Sequence, residues 1–545
     1  MKNFFNFSVF SLLMTFTVPL SAIADSHIVG TDVTKKNVLM EDFTGIHCTY
    51  CPDGHKIAAR MHRNHPEQVY VLAIHAGNYA NPGRDEPDFR TKEGTEVNDG
   101  FGVTGYPAGI VNRTLYSESK SGLVINRSLW PLAAKEQIVQ DASVNLAATA
   151  QYDGNTRKLS IHVEGYYTKV EKAWMPRLTV VLAQDHIQGP QTGGQLGEDY
   201  IHNHVVRAYL NGAWGEELAA PVQGQYFEKD FVYEVPEYTT SSITSIKTPV
   251  RPEDLRVVAY VTNGREDVQQ VTGCVPACVN YAEVLRGTLG DPRIPMGSSY
   301  GYNFIEVNFD NHSSVPATSA TFLYEAKGKK VELEWTGELA AGESADIRIP
   351  WTLDTTADDE DFTLTLKKIN GTAVSPINDA YVDYIEGNLC MPNVVPTKLH
   401  LYIKTNKEAE DNHFLLCDAD GKTVREFGPF KSGEVNEYEE DLTLEDGKMY
   451  CLEVTDEWGN GISGPAGQFK INNMDGGLEA QVPSISYFGA RAFFITSEAA
   501  GVEGVEMPET GAAKYYRLDG RQTIAQPEGV SIVKTPAGVK KQIRK

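Results

Sequence analysis

The sequence predicts an α/β domain followed by a series of all-β sandwich domains, and three observations carry that prediction. First, an apolar strand pattern from Val38 to Phe43 runs through a short loop into Cys48-Thr49-Tyr50-Cys51, then into a helix pattern through Lys56 to Met61. Second, Phe101-Gly102-Val103-Thr104-Gly105-Tyr106-Pro107 delivers a proline to the start of another apolar strand, Gly109 to Val111. Third, beyond about residue 141 short β runs separated by turn signals follow one another at the density of a sandwich. With 545 residues the chain can bury several cores.

The N-terminus reads as an export signal. Lys2 precedes an apolar run from Phe4 to Leu20, and Ala22-Ile23-Ala24 places small residues where a signal peptidase cuts, so residues 1–24 are expected to be removed. No later apolar run is long enough to span a bilayer, and the mature chain is expected to have no transmembrane segment. The net charge of −24 argues against nonspecific nucleic-acid binding, which needs a basic surface to displace counterions.

Two cysteines three apart at a helix start can close a small disulfide. The first of them lies against unpaired backbone N–H groups and the positive end of the helix dipole, a field that favours the thiolate. The thiolate is the attacking form in thiol–disulfide exchange, so Cys48 is the expected nucleophile and Cys51 the buried resolving thiol.

Together these segments resemble the thioredoxin superfamily, over residues 34–140. Asp42-Phe43 stands where that family carries an Asp-Phe pair, which implies that a buried Asp42 assists proton transfer at Cys51. The 101–107 segment is similar to the approach to the family's cis-proline. The resemblance thus implies that Pro107 lies against the cysteine pair and that the Tyr106 backbone pairs with an extended substrate strand. His47 replaces the usual tryptophan, Tyr106 replaces a small or β-branched residue, and the polar stretch 78–100 reads as an insert near the site. No diffusible cofactor is needed for such exchange; protein thiols or disulfides are the expected partners.

From 142 to 290 strand patterns such as Lys158 to Val163, Leu178 to Leu182 and Leu255 to Val261 predict a β-sandwich. The connector Gly290 to Pro295 introduces a second, immunoglobulin-like sandwich at 296–388, and a third, jelly-roll-like one spans 396–497. Tyr200-Ile201-His202-Asn203-His204 through Leu210-Asn211-Gly212, followed by Trp214-Gly215-Glu216-Glu217, is similar to a family of Bacteroidetes outer-membrane-associated proteins that couples a thioredoxin-like domain to a β-sandwich. The C-terminal stretch 512–545, with Tyr515 to Arg521, an Asp519-Gly520 turn, Pro527 to Val533 and a cationic end, resembles the C-terminal sorting domain of the Bacteroidetes type IX secretion system. The resemblance implies that machinery as a partner, and attachment to the outer-membrane surface or release from it.

Export makes the seven cysteines open to oxidation. A strand-to-strand disulfide between Cys417 and Cys451 is expected, and Cys274 and Cys278 could close locally, with Cys390 left over or bonded to either of them. Other motifs lose on context. His47, His55, His62 and His65 near the cysteine pair make a zinc-like composition, but Asp42 and Pro107 fit redox chemistry better. Gly297-Ser298-Ser299-Tyr300-Gly301 matches a hydrolase pattern without the strand-turn-helix it requires. Asp358 to Asp361, Asp418 to Gly421 and Asp456 to Gly461 lack a full calcium loop, and His202-Asn203-His204 suits a strand edge or hairpin.

The expected function is therefore thiol–disulfide exchange at the cell surface through Cys48, Cys51 and Asp42, with Tyr106 and Pro107 positioning the partner. The rival, from another class, is a surface binding or adhesion protein with a non-catalytic thioredoxin-like domain and a structural 48–51 disulfide. An outer-membrane assembly component is a third reading.

Overall fold

A computed structural model describes residues 27–290 with short breaks, then 304–351, 360–374, 384–389, 392–459, 467–482 and 489–498 with one break at 327, and the strands of the last stretch, 514–544. The export signal, the hydrolase-like motif at 297–301, most of the 290–295 connector, Asp358 and Asp359 of the first acidic run and Cys390 lie outside the described residues.

The first elements are β1 (Val38–Thr44), α1 (Cys51–Asn64), β2 (Val69–His75), α2 (Lys92–Gly100), β3 (Ala108–Val111) and α3 (Trp130–Ile138). β1 pairs in parallel with β2 and antiparallel with β3. Then come β4 (Val144–Asp153), β5 (Lys158–Tyr167), β6 (Pro176–Gln184), β7 (Ile187–Gly189), β8 (Tyr200–His202), β9 (Val205–Tyr209), β10 (Glu216–Glu217) and β11 (Tyr226–Glu234). A ribbon of β12 (Tyr238–Thr239) and β13 (Thr248–Pro249) leads to β14 (Leu255–Asn263), β15 (Glu266–Cys274) and β16 (Ala277–Val279).

The boundary expected near residue 141 falls inside one shared sheet. Its order is β15-β14-β6-β9-β2-β1-β3, with β10 beside β6. The seam is the parallel pairing of β2 with β9 at Ala73 and Val205, where the Ala73 N–H donates to His204 O at 2.8 Å. Alternation along the strands divides the sheet between layers. Val38, Met40, Val69 and Val71 pack under α1 and α3 with Ile57, Met61 and Trp130. Leu39, Phe43, Leu72 and Ile74 face the other way with Val97 of α2, Val181 and Tyr260. Leu178, Val180, Leu182, Val257 and Ala259 meet Leu159, Ile161 and Val163 of a second sheet, β11-β5-β4-β16.

The expected polar insert at 78–100 contains a helix. α2 starts at Thr91, whose side chain accepts from the Gly94 N–H at 2.9 Å. With an interior glycine, a terminal one and one buried aliphatic residue, Lys92–Gly100 shows no helical stripe to find in the sequence.

Beyond this body, β17 (Gly287–Gly290) pairs with β18 (Phe304–Asn311) and so belongs to the next sandwich. That sandwich packs around Phe309, Phe322, Trp335 and Leu364. A further one, from Asn393 to Thr496, encloses Leu401, Phe414, Leu452 and Phe469. The final stretch forms a four-stranded sheet of Lys514–Tyr516, Gln522–Thr523, Gly529–Thr535 and Gly538–Arg544. No helix among the described residues is long and apolar enough to cross a membrane.

Cys417 and Cys451 stand directly opposite each other on adjacent antiparallel strands, but both are thiols, embedded with Phe304 in an apolar cluster. Such surroundings disfavour the reactive thiolate. Cys274 and Cys278 are also thiols. The chain crosses between sheets here: Cys274 ends β15 in the large sheet, whereas Cys278 pairs with Tyr152 in the small one. Burial pushes their thiols up to about 12 and about 11.

Candidate functional site

β1 aims its C-terminal end at the start of α1, and the intervening loop carries the cysteine pair. Cys48 and Cys51 form a disulfide, with Cys51 in the first turn of α1. The Tyr106–Pro107 peptide is cis, and Pro107 packs on that first turn. A Cβ placed on Gly54 would come 3.1 Å from Pro107 Cβ and 3.0 Å from the Trp130 ring, so the residue there must be small. Tyr106 turns its hydroxyl away to donate to Asn98 Oδ1 of α2 at 2.7 Å. The sequence-predicted Cys48, Cys51, Tyr106 and Pro107 are thus gathered around the N-terminus of α1, and Asp42 lies on the strand leading to it.

Asp42 is 1% exposed, and its Oδ1 accepts no hydrogen bond. Burial raises its carboxyl from 3.8 to about 8, so it carries a proton at neutral pH. The nearest titratable neighbour is His55 of α1, whose Nε2 is 3.9 Å from Asp42 Oδ2 and 2.7 Å from Thr44 Oγ1. His55 Nδ1 is 2.9 Å from the Tyr200 hydroxyl. Burial, then the neighbouring His202 and His204, lowers His55 to about 3. Burial lowers His202 to about 4 and, with His202 and His55 nearby, holds His75 well below the usual range. A pocket of about 160 Å³ opens here, lined by Asp42, His55, Lys56 and Tyr200 among others.

The raised carboxyl makes a pH prediction with a definite sign. Folding favours the protonated form, so this contribution to stability is full below about pH 4 and is lost progressively up to about pH 8. Asp42→Asn removes that loss. Its stability relative to the parent should grow by up to about 1.4 kcal/mol per pH unit across this window and level off above it, as read from urea midpoints.

Access to the disulfide is restricted. Cys48 is 2% exposed and Cys51 0%. The turn after β7 lies over the loop: Gln191 Nε2 donates to Cys48 O at 3.0 Å and Gly45 O at 3.2 Å, and the Thr192 N–H donates to Ile46 O at 2.8 Å. Gly193 (φ +80°) presses so close that a Cβ there would sit 2.1 Å from Thr49 O. From the other side the 78–100 segment contributes Glu86, 3.0 Å from His47 Nε2, and Tyr79 O, which accepts from the His47 N–H.

Sequence reasoning missed Gln191, Tyr200 and the place of His55 beside Asp42. Tyr200 stood in the quoted 200–212 motif, but nothing local signals that a hairpin some 140 residues away folds over Cys48. His62 and His65, weighed with zinc in view, point elsewhere: His62 Nδ1 is 2.7 Å from Val69 O, and His65 stacks on Trp458.

Residues 95–277 match the family described as Outer membrane protein Omp28, a span that includes Pro107 and Tyr200 but begins after the cysteine pair. Among solved structures the chain is similar to HBP35 of Porphyromonas gingivalis, with 14% identity over 58% of this chain and 98% of that one, at a TM-score of 0.35. It is also similar to a domain of the outer membrane lipoprotein Omp28 from Porphyromonas gingivalis, with 23% identity over 25% of this chain and 90% of that one, at a TM-score of 0.18. No curated protein matches. The family match puts the protein at the outer membrane or cell surface.

Proposed function

We propose that this protein of the outer membrane or cell surface exchanges disulfides with other proteins through Cys48 and Cys51. The observation that carries the reading is the Cys48–Cys51 disulfide at the start of α1, beside Pro107 and in front of a protonated Asp42. In the oxidising direction a substrate thiolate attacks Cys48 Sγ. The Cys48–Cys51 bond breaks, and Cys51 leaves as a thiolate that takes a proton relayed from Asp42. A second substrate thiolate then attacks the sulfur joined to Cys48, releasing Cys48 as a thiolate stabilised by the helix N-terminus. Two electrons pass from the substrate dithiol to the protein, and the substrate leaves as a disulfide. The reverse sequence reduces a substrate disulfide. Type IX export would deliver the chain to the surface where such partners are met.

A second reading, a surface binding or adhesion protein in which the disulfide is structural, draws on the burial of Cys48 beneath Gln191 and Gly193. Loosening that cover separates the two. Gly193→Ala should push the turn off Thr49, and the exchange reading expects disulfide reduction by dithiothreitol to speed up several-fold along with turnover of a dithiol peptide. On the structural reading reduction speeds up but no turnover appears. Circular dichroism checks that the fold is kept.

A further inference from the structure

A second cluster lies where the first body meets the next sandwich, and the exchange chemistry does not use it. His186 follows β6, Asp254 ends the turn before β14, Asp310 lies on β18 and His312 comes just after it. Three separate chain segments therefore converge, and His186, Asp254 and His312 are each at most 4% exposed. His186 Nδ1 is 2.9 Å from Asp254 Oδ1, and His186 Nε2 is 3.3 Å from Asp310 Oδ2. His312 Nε2 is 3.6 Å from the same Asp310 oxygen and 2.8 Å from Thr288 Oγ1. One donor atom each from His186, Asp254 and His312 falls within a 4.8 Å group. Asp254 Oδ2 is buried and accepts no hydrogen bond.

We propose that His186, Asp254 and His312 form a binding site for a divalent cation of the zinc class, with Asp310 behind the second nitrogen of His186. Zinc bound tetrahedrally at about 2.0–2.1 Å to each ligand sets neighbouring donors about 3.3 Å apart. His186 Nδ1 and Asp254 Oδ1, 2.9 Å apart, stand near that edge, and a His312 donor lies within 4.8 Å of the pair. Two imidazoles among the donors select a first-row transition metal over calcium or magnesium, which take oxygen ligands. With Nδ1 on the metal, His186 Nε2 faces Asp310 Oδ2 at 3.3 Å. That is the outer contact by which metal-bound imidazoles are oriented.

The surrounding cations have other work. Arg256 pairs with Asp185 and with Gly342 O, and Arg286 Nη1 pairs with Glu253 at 2.8 Å. Arg251 Nη1 donates to His186 O and stays 4.0 Å from Asp254. His186 and Asp310 also line a cleft of about 320 Å³, which supplies an entry path and room for a water on the metal. A bound ion would pin β18, and with it the second sandwich, to the first body.

The test uses the full mature chain, stripped with chelator, its thiols alkylated, and dialysed against zinc. One zinc per chain is expected. His312→Ala and Asp254→Asn should each weaken binding by about 10- to 100-fold. His162→Ala, in the other histidine–carboxylate group with Glu164 and Glu228, should leave it unchanged. Less than one zinc per chain, or binding indifferent to both cluster substitutions, would overturn the proposal. Should those variants fail to fold, cobalt(II) on the alkylated parent decides. Tetrahedral d–d bands support the site, and their absence refutes it.

Discussion

Cys51→Ala should convert the protein into a trap. Without the resolving thiol, Cys48 can still attack a partner disulfide, but the mixed disulfide that forms has no internal thiol to release it. Incubated with a disulfide-bearing protein, the full-chain Cys51→Ala variant is expected to accumulate a covalent adduct, resolved by non-reducing electrophoresis and mapped by mass spectrometry to Cys48. Cys48→Ser/Cys51→Ala should form none. Cys274 and Cys278 do not confuse the result, because burial holds their thiols well above the range in which thiolates form at neutral pH, and the double variant controls for the remaining cysteines. If the pair is only a brace, Cys51→Ala loses stability and traps nothing.

The second large effect concerns what holds the site in place. Arg113 and Glu41 are 1% and 0% exposed at their side chains and meet through both carboxylate oxygens, at 2.8 and 2.6 Å. Arg113 also donates to the Tyr260 hydroxyl at 2.9 Å and to Arg265 O at 3.1 Å, tying β1 to β14 and to the turn before β15. Its guanidinium lies over the Phe101, Trp214 and Tyr260 rings. Arg113→Leu leaves the Glu41 carboxylate buried without its cation and should cost about 3–5 kcal/mol. Replacing both, as Glu41→Leu/Arg113→Leu, should recover much of that loss, because the desolvation of both charges goes with them. Denaturant midpoints of the four proteins measure the coupling. Strict additivity would show that the pair is not a coupled unit.

How much of this was legible in the sequence divides along locality. β1, the cysteine loop, α1 and the proline-led β3 are contiguous patterns, and each stands where its residues place it, with Asp42 and Pro107 among them. Strands such as Lys158–Tyr167, Leu255–Asn263 and Lys398–Lys404 announce themselves by β-branched and alternating residues. What stayed hidden is pairing between distant segments. The sheet runs on from β2 into β9 through a single residue pair, Ala73 with Val205, and no local periodicity encodes that join. The cover over Cys48 is equally non-local, resting on Gln191 reaching two backbone carbonyls. Arg113 carries no local signal in the sequence, because a buried charge is recognised only through its partner. Cys417 and Cys451 stand in the facing register that their strand patterns led one to expect.

The reduction potential of the Cys48–Cys51 pair in the full chain tests the central claim most directly. Titration against glutathione, with the alkylated peptide carrying both cysteines quantified by mass, reads this pair apart from the others. The exchange account predicts a value between about −120 and −270 mV, the range of proteins that pass disulfides to one another. A value well below about −300 mV would mark a structural bond and contradict it.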